Sequence, residues 1–530
     1  MRYTKRSIIR ILTAMTAALL LTLTALLPDR ALASNVGSSL TLGIQSVKTT
    51  SIQPLDPVER DMMSIYGLIY ESLVTIDDDY LPQPSLAESW EESGNGKTWT
   101  FRLRDNVTFS DGTPLTARDV AATAQYILDR ANDENSQLKG YYANLKYFVS
   151  RVTATDDKTV VVKTDSARPY WGVLYAMTFP VLPEGMAGSA NPPGTGPYMI
   201  SAFEPGNYLW LENNPYWWQT APQVKEIMAV CHDTPGKVIE SYEYARVDTV
   251  FTRSIAAAQH KRGTTSLAID YRTNQLETLL INHTSSPLGN VNIRRAIRYL
   301  VDPDKLASQV YMGMVERTDT PMIPGTWMYN DSLSSYFVTN VEAARALLEE
   351  EGWTDTDDDG ILDKTADNGK QQKLHLRIYV YEEPDNNVRV EAANLIADAL
   401  NAVGISTTIT TMSMAEMQVK LSAGSFDLAL VSFAMDVCPD PGFLLMSGNT
   451  GNYGRYRSEA MTSLCKELRK QTTQEGFRQT LMSIQQQFAE DCPFICLYYR
   501  SGSVLTRQMY TTARDVRELE LLRGIESFHP

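Results

Sequence analysis

Between Leu374 and Ala434 the hydrophobic period changes four times. LHLRIYVY alternates at the two-residue period of a strand, VRVEAANLIADALNAVG repeats at helical spacing, ISTTITTM alternates again, MAEMQVKLSAG returns to helical spacing, and FDLALVSFAM closes as an apolar strand. Strands that take turns with helices must be joined by crossovers, so this stretch predicts an α/β unit with a mainly parallel sheet. Upstream, LLINH and VNIRRAIRYLVDPDKLASQVY read as a strand followed by helices, with Arg294, Arg295 and Arg298 on the outer face, and VEAARALLEEEGW adds a further helix. Downstream, helices around Met461 to Lys470 and Phe477 to Glu490 precede the apolar strand CPFICLYYR. Passage of the chain between lobes near Leu279 and again near Phe494 predicts a two-strand hinge.

The first half has a different rhythm. LTLGIQ alternates, and VERDMMSIYGLIYESL is helical. TWTFRLR and VTFS read as strands, a turn falls at Asp111-Gly112, and Thr116 caps a helix through ARDVAATAQYILDR. TVVVKT is a strand, and NPPGTGP (191–197) is a loop leading to the strands YMISAF and YLWLEN.

Composition excludes several classes. A hydrophobic fraction of 43% with 21% charged residues excludes a polytopic membrane protein and bulk disorder. A net charge of −15 repels phosphate backbones, so no nucleic acid partner is expected. A basic stretch to Arg10, the apolar run Ile11–Leu27 and the small residues of ALA (31–33) predict a signal peptide, 1–33, cleaved after Ala33, and hence an exported protein. That run is 17 residues long, at the lower limit for spanning a bilayer, so an uncleaved anchor is the alternative. Five cysteines are too few for a disulfide scaffold and read as packed thiols.

The block YESLVTIDDDYLPQPSLAESWEESGNGKTWTFRLRDNVTFSDGTPLTARDV (70–120) resembles the signature of the family 5 extracellular solute-binding proteins, the peptide and nickel receptors of ABC importers. GTGPYMISAFEPGNYLWLENNPYWW, VNIRRAIRYLVDPDKL, VEAARALLEEEGW and FDLALVSFAMDVCPDPGFL extend the resemblance in order over nearly the whole chain beyond residue 33. Physically these are scaffold features: Trp90 and Trp99 give aromatic area to a strand pair, SGNGK supplies the turn between them, and DGTP leads into a capped helix.

The resemblance implies an α/β fold of periplasmic-binding-protein class II, with two large lobes, an inserted subdomain and the two-strand hinge. The boundaries expected are lobe I at 34–79, 195–282 and 494–530, the inserted subdomain at 80–194, and lobe II at 283–493. It also implies a monomeric receptor, not an enzyme, that captures peptides, with oligopeptides the expected cargo, in the interlobe cleft and delivers them to permease subunits in the membrane. A nickel chelate or other small solute is the alternative cargo. An exported glycan hydrolase is the rival from another class, but no carboxylate pair stands out for it, and G-x-S-x-G, H-E-x-x-H and Walker motifs are missing from the sequence.

By the same resemblance Asp436 pairs with a peptide's ammonium group, while Asp440 serves the turn. Where dipeptide-binding relatives carry an Arg for the ligand carboxylate, this chain reads YEEPDNN, with Glu382 and Glu383. That leaves a longer peptide, a cationic ligand, or a carboxylate partner among Arg389, Arg455 and Arg457, with Phe433, Tyr453 and Tyr456 as pocket candidates. No cofactor is expected. The exception left open is a structural calcium at DTDDDG, where Asp355, Asp357 and Asp359 alternate before Gly360 and Asp363 is an extra ligand candidate. Ala366 stands where an EF-hand loop would place its bidentate Glu, which favours a solvated turn.

Overall fold

The structure is a computed structural model that describes residues 38–57, 59–94, 96–133, 141–164, 172–260, 267–365, 369–383, 387–507 and 516–525. The leader and its cleavage site lie outside the described residues. Along the chain run β1 (Ser39–Gln45), the hairpin β2 (Val74–Ile76) and β3 (Pro82–Pro84), then β4 (Ala87–Ser93), β5 (Thr98–Leu103), β6 (Arg151–Ala154) and β7 (Thr159–Lys163). β8 (Tyr198–Glu204), β9 (Tyr208–Asn213), β10 (Glu226–His232), β11 (Thr249–Thr252) and the long β12 (Leu267–Ile281) follow. After β13 (Val315–Arg317) come β14 (Asp363–Thr365), β15 (Gln371–Lys373), β16 (His375–Tyr381), β17 (Ser406–Met412), β18 (Leu428–Ala434) and β19 (Phe494–Thr506).

One sheet of eleven strands runs through the molecule in the order β17-β16-β18-β12-β19-β11-β1-β10-β9-β8, with β13 added on β19. Its β17-β16-β18 end is parallel, as the alternation of strand and helix predicts, and the helices Val388–Asn401 and Met414–Ala423 make the crossovers. At the centre β12 and β19 are antiparallel to each other. Hydrophobic cores cover both faces of the parallel end: Leu279 and Ile281 of β12 enter one, Leu276 and Leu280 the other. A separate four-stranded sheet, β4-β5-β7-β6, carries the buried Trp99 and Phe101 into a third core shared with β1 and β10.

The segment VTFS does not form a strand. The chain closes so tightly around Asp111-Gly112 that only one bridge, Thr108 to Pro114, fits before the helix at Ala117, whose Thr116 and Asp119 form a capping box. Arg294 and Arg298 are also placed otherwise than expected, at 5% and 6% exposure. Arg294 donates to the carbonyls of Asp491 (2.7 Å) and Cys492 (2.9 Å), groups that the end of the helix Gln474–Asp491 leaves without intrahelical donors. Arg298 lies over the rings of Tyr299 and Phe337.

The two crossing strands carry the hinge. β12 pairs with β19 from Leu267 to Arg272, breaks register, and resumes at Leu276 opposite Tyr499. Residues 273–275 form the break. Next to it Gly502 faces Tyr271, and a Cβ there would sit 2.3 Å from the Tyr271 ring, so the close approach of the strands requires glycine. From 516 to 525 the chain returns to the same place: Glu518 accepts the Asn274 N–H at 3.2 Å and pairs with Arg60 (3.2 Å) and Arg253 (3.0 Å).

A candidate ligand cleft at the hinge

Beside the break in β12 lies a cavity of about 840 Å³. Its walls come from the helix Arg60–Ile69 and the turn after it, from the 3-10 helix Ala143–Tyr147 beyond β5, from residues 217–219, from the 434–438 segment after β18, and from 517–525. Tyrosines dominate the apolar lining, among them Tyr66, Tyr70, Tyr141, Tyr142 and Tyr175. Such a surface, amphipathic and stiff, suits extended ligands of varied side chains.

Asp436 stands in this cavity. It is exposed to the cleft, yet crowding by the walls raises its carboxyl above the usual range, against the pull of the Cys438 and Val437 N–H groups and the Asn144 side chain. The Cys438 N–H donates to it at 3.3 Å, so the residue also shapes its turn. Asp440 accepts from Gly442 N–H at 2.8 Å and pairs with Arg469 at 2.7 Å, which makes it a structural turn residue.

The other sequence candidates are placed elsewhere. Arg389 is 2% exposed and holds Glu277 at 2.6 Å and Glu383 at 2.8 Å, with Tyr381 beneath its guanidinium at 3.9 Å. It is outside the cavity lining because a buried Glu277 on β12 takes its donors. Arg455 donates to the Ser422 carbonyl and shares a smaller pocket of about 310 Å³ with Arg457, Tyr453 and Tyr456. Tyr456 is buried and donates to the Asp491 carboxylate, and Phe433 packs between Phe443 and Tyr453. None of these six lines the cavity at the hinge. Asp355, Asp357 and Asp363 do converge, with carboxylate oxygens within 4.8 Å of one another. Lys373, however, pairs with Asp357 and Asp359, and buried Asp363 accepts from Thr356 and Gln371, so the protein itself offsets part of the turn's charge.

Sequence reading passed over Glu71. It follows the helix Arg60–Ile69, faces the cavity, and accepts the Trp218 indole N–H at 3.0 Å and 3.2 Å through its two oxygens. The loop 191–197 fixes this wall: Gly196 N–H donates to Ile69 O at 2.9 Å, and a Cβ on Gly194 would fall 1.9 Å from that oxygen. Burial raises the Glu71 carboxyl to about 7, against donors on Trp218, Thr195 and Trp217 and the charge of Arg104. The signal lay in the sequence as the acidic residue of YESL and the paired tryptophans of NPYWW.

Two lobes joined by crossing strands, with a cavity at the hinge, define a class II solute-binding receptor. The chain belongs to the bacterial extracellular solute-binding proteins, family 5, whose sequence profile matches residues 82–455. Members are substrate receptors and not enzymes. The oligopeptide-binding protein AppA of Bacillus subtilis is 24% identical over 86% of this chain and 86% of its own. Its structure with a nonapeptide superposes with a TM-score of 0.68 at 20% identity, covering 92% of this chain and 98% of that one. NikA from Brucella suis, solved with Fe(III)-EDTA, gives 0.78 at 18% identity over 93% and 99%.

Proposed function

We propose that this protein is the extracytoplasmic receptor of an ABC importer, a monomer that closes about the β12–β19 hinge on an oligopeptide and presents it to membrane permease subunits. Three lobe segments compose it in this reading: 34–79, 195–282 and 494–530 as lobe I, 80–194 as the inserted subdomain, and 283–493 as lobe II. The observation that carries the peptide reading is Asp436, a carboxylate facing the cavity with no ionic partner among the described residues. A peptide ammonium supplies the missing charge, and main-chain amides supply ligand contacts that do not depend on side-chain identity. The likeness to peptide-binding AppA supports the same reading.

Calorimetry on a four-way comparison tests it. Asp436→Asn nearly preserves shape while removing the charge, and truncating one member of such a pair costs ~2–5 kcal/mol, roughly 30- to several-thousand-fold in affinity. N-acetylating the peptide is expected to weaken binding to the native protein similarly and to matter much less in Asp436→Asn. Equal acetylation penalties in both proteins would reduce Asp436 to a turn residue. Native mass spectrometry of freshly purified protein checks the cargo: co-purifying peptides of many masses are expected, and a single nickel-chelate adduct would replace the peptide reading.

A further inference from the structure

The charges that line the cavity do not balance locally. Its arginines are all engaged by the protein: Arg272 pairs with Glu316, Arg517 with Glu520 at 2.8 Å, and Arg523 with Asp78 at 2.8 Å. Arg104 donates to Ser85 O at 2.7 Å and lies 4.6 Å from the Trp218 ring centre, outside ion-pair distance of any carboxylate among the described residues. Of the acidic lining residues, Glu518 and Glu520 are held by arginines. Glu71 and Asp436 are not, among the described residues. They come from different lobes, one after the helix Arg60–Ile69 and the other after β18.

We propose that Glu71 is a second cation subsite of the cleft, so that the preferred solutes carry two positive charges: one for Asp436 and a second, a lysine or arginine side chain in a peptide, for Glu71. This rests on the peptide reading above and sharpens it. A carboxylate half-withdrawn from water gains most from a ligand cation, since among the described residues no cation of the chain is in ion-pair contact with it. Its hydrogen-bond donors are neutral, from Trp218 with Trp217 and Thr195 close by, so they orient the carboxyl, while the charge of Arg104 acts on it without an ion pair. The aromatic walls add to this, as the guanidinium already resting on Trp218 shows.

The test compares native protein with Glu71→Gln, which keeps an oxygen for Trp218. Alanine pentapeptides with a free amino terminus, carrying one lysine or one norleucine at each position in turn, are titrated by calorimetry, with 1,8-diaminooctane as a peptide-free dication. At one position lysine is expected to beat norleucine by about tenfold or more, and this preference should shrink to about twofold in Glu71→Gln with the norleucine affinity unchanged. Thermal melting verifies that the variant is folded. Equal affinities for lysine and norleucine in native protein, or a preference that survives Glu71→Gln, would overturn the second subsite and leave the peptide reading intact. A uniform loss for every pentapeptide in the folded variant would make Glu71 a support for Trp218 and overturn the proposal too. If no pentapeptide binds but the diamine does, and weakens in Glu71→Gln, the peptide reading falls and the two-cation site stands; if neither binds, both fall.

Discussion

Carboxylates are withdrawn from water in two parts of this molecule, with opposite outcomes. Behind the hinge, Glu277 of β12 is 1% exposed, and Arg389 (2.6 Å) and Arg500 (2.7 Å) hold it. Burial pushes its carboxyl upward, but the two guanidiniums overrule burial and keep it below the usual range. In the cleft, burial raises both Asp436 and Glu71, because neutral donors and, at Glu71, the unpaired charge of Arg104 do not overrule it. A carboxylate that holds the fold together comes with its cation in the chain. In the reading proposed above, one that serves a ligand leaves that place to the ligand.

The sharpest way to break this contrast is to remove a cation from the structural cluster. Arg389→Ala should cost about 3–5 kcal/mol of stability, measured by urea unfolding, because it strands a buried charge. The linkage runs as expected for a depressed carboxyl: Glu277 contributes stability above its unfolded-state pKa, lost as pH falls through the lower folded value. A cost below about 0.5 kcal/mol would show that Arg500 alone suffices for Glu277 and would blur the distinction. Peptide affinity of the folded fraction should be unchanged.

A smaller effect is expected from pH. Glu71 must ionise to hold a cation, so between pH 8 and pH 6, across its value of about 7, the lysine-over-norleucine affinity ratio should fall about tenfold. Both peptides share the same titrating amino terminus and the same Asp436, so their ratio isolates Glu71. Arg104 is the charged group facing Glu71, and the cavity lining contains no histidine among the described residues. The sign reverses for the empty protein: a raised carboxyl favours folding at low pH and loses that contribution as pH rises through 7. A flat ratio would detach Glu71 from the ligand. Smallest of all is calcium, which should leave the melting temperature where a chelator leaves it, since Lys373 already neutralises part of the Asp355–Asp363 turn. An upward shift would make that turn a third kind of carboxylate site.

The parallel end of the sheet was legible because each strand and crossover helix there has its own period, as in HLRIYVY or the long helix from Val388. The crossing strands were legible in their apolar parts, LLI at the end of β12 and FICLYY at the start of β19, while the polar DYRTNQ of β12, where the register breaks, carried no such signal. The cleft was harder. A sequence shows that Arg389 is cationic, but not that a glutamate 112 positions away lies buried against it. Glu71 was hidden differently, because its importance is a charge without a partner, and a missing partner leaves no mark on local spacing. Arg294 and Arg298 were misplaced because helical periodicity ranks residues by polarity, whereas a planar guanidinium can satisfy carbonyls at a buried helix end, as Arg294 does, or lie on aromatic rings, as Arg298 does.

The placement of β19 has a consequence for how the chain comes to be folded. β11 meets β12 only across β19, so these strands wait for one made more than 200 residues later, and Thr249 in β11 finds its neighbour in Thr506, 257 positions on. Closing so long a loop is slow, and until it closes neither lobe has its central partner. Until β19 has emerged, a chain leaving the ribosome therefore has its separate four-stranded sheet but no finished central one, and that part remains threadable.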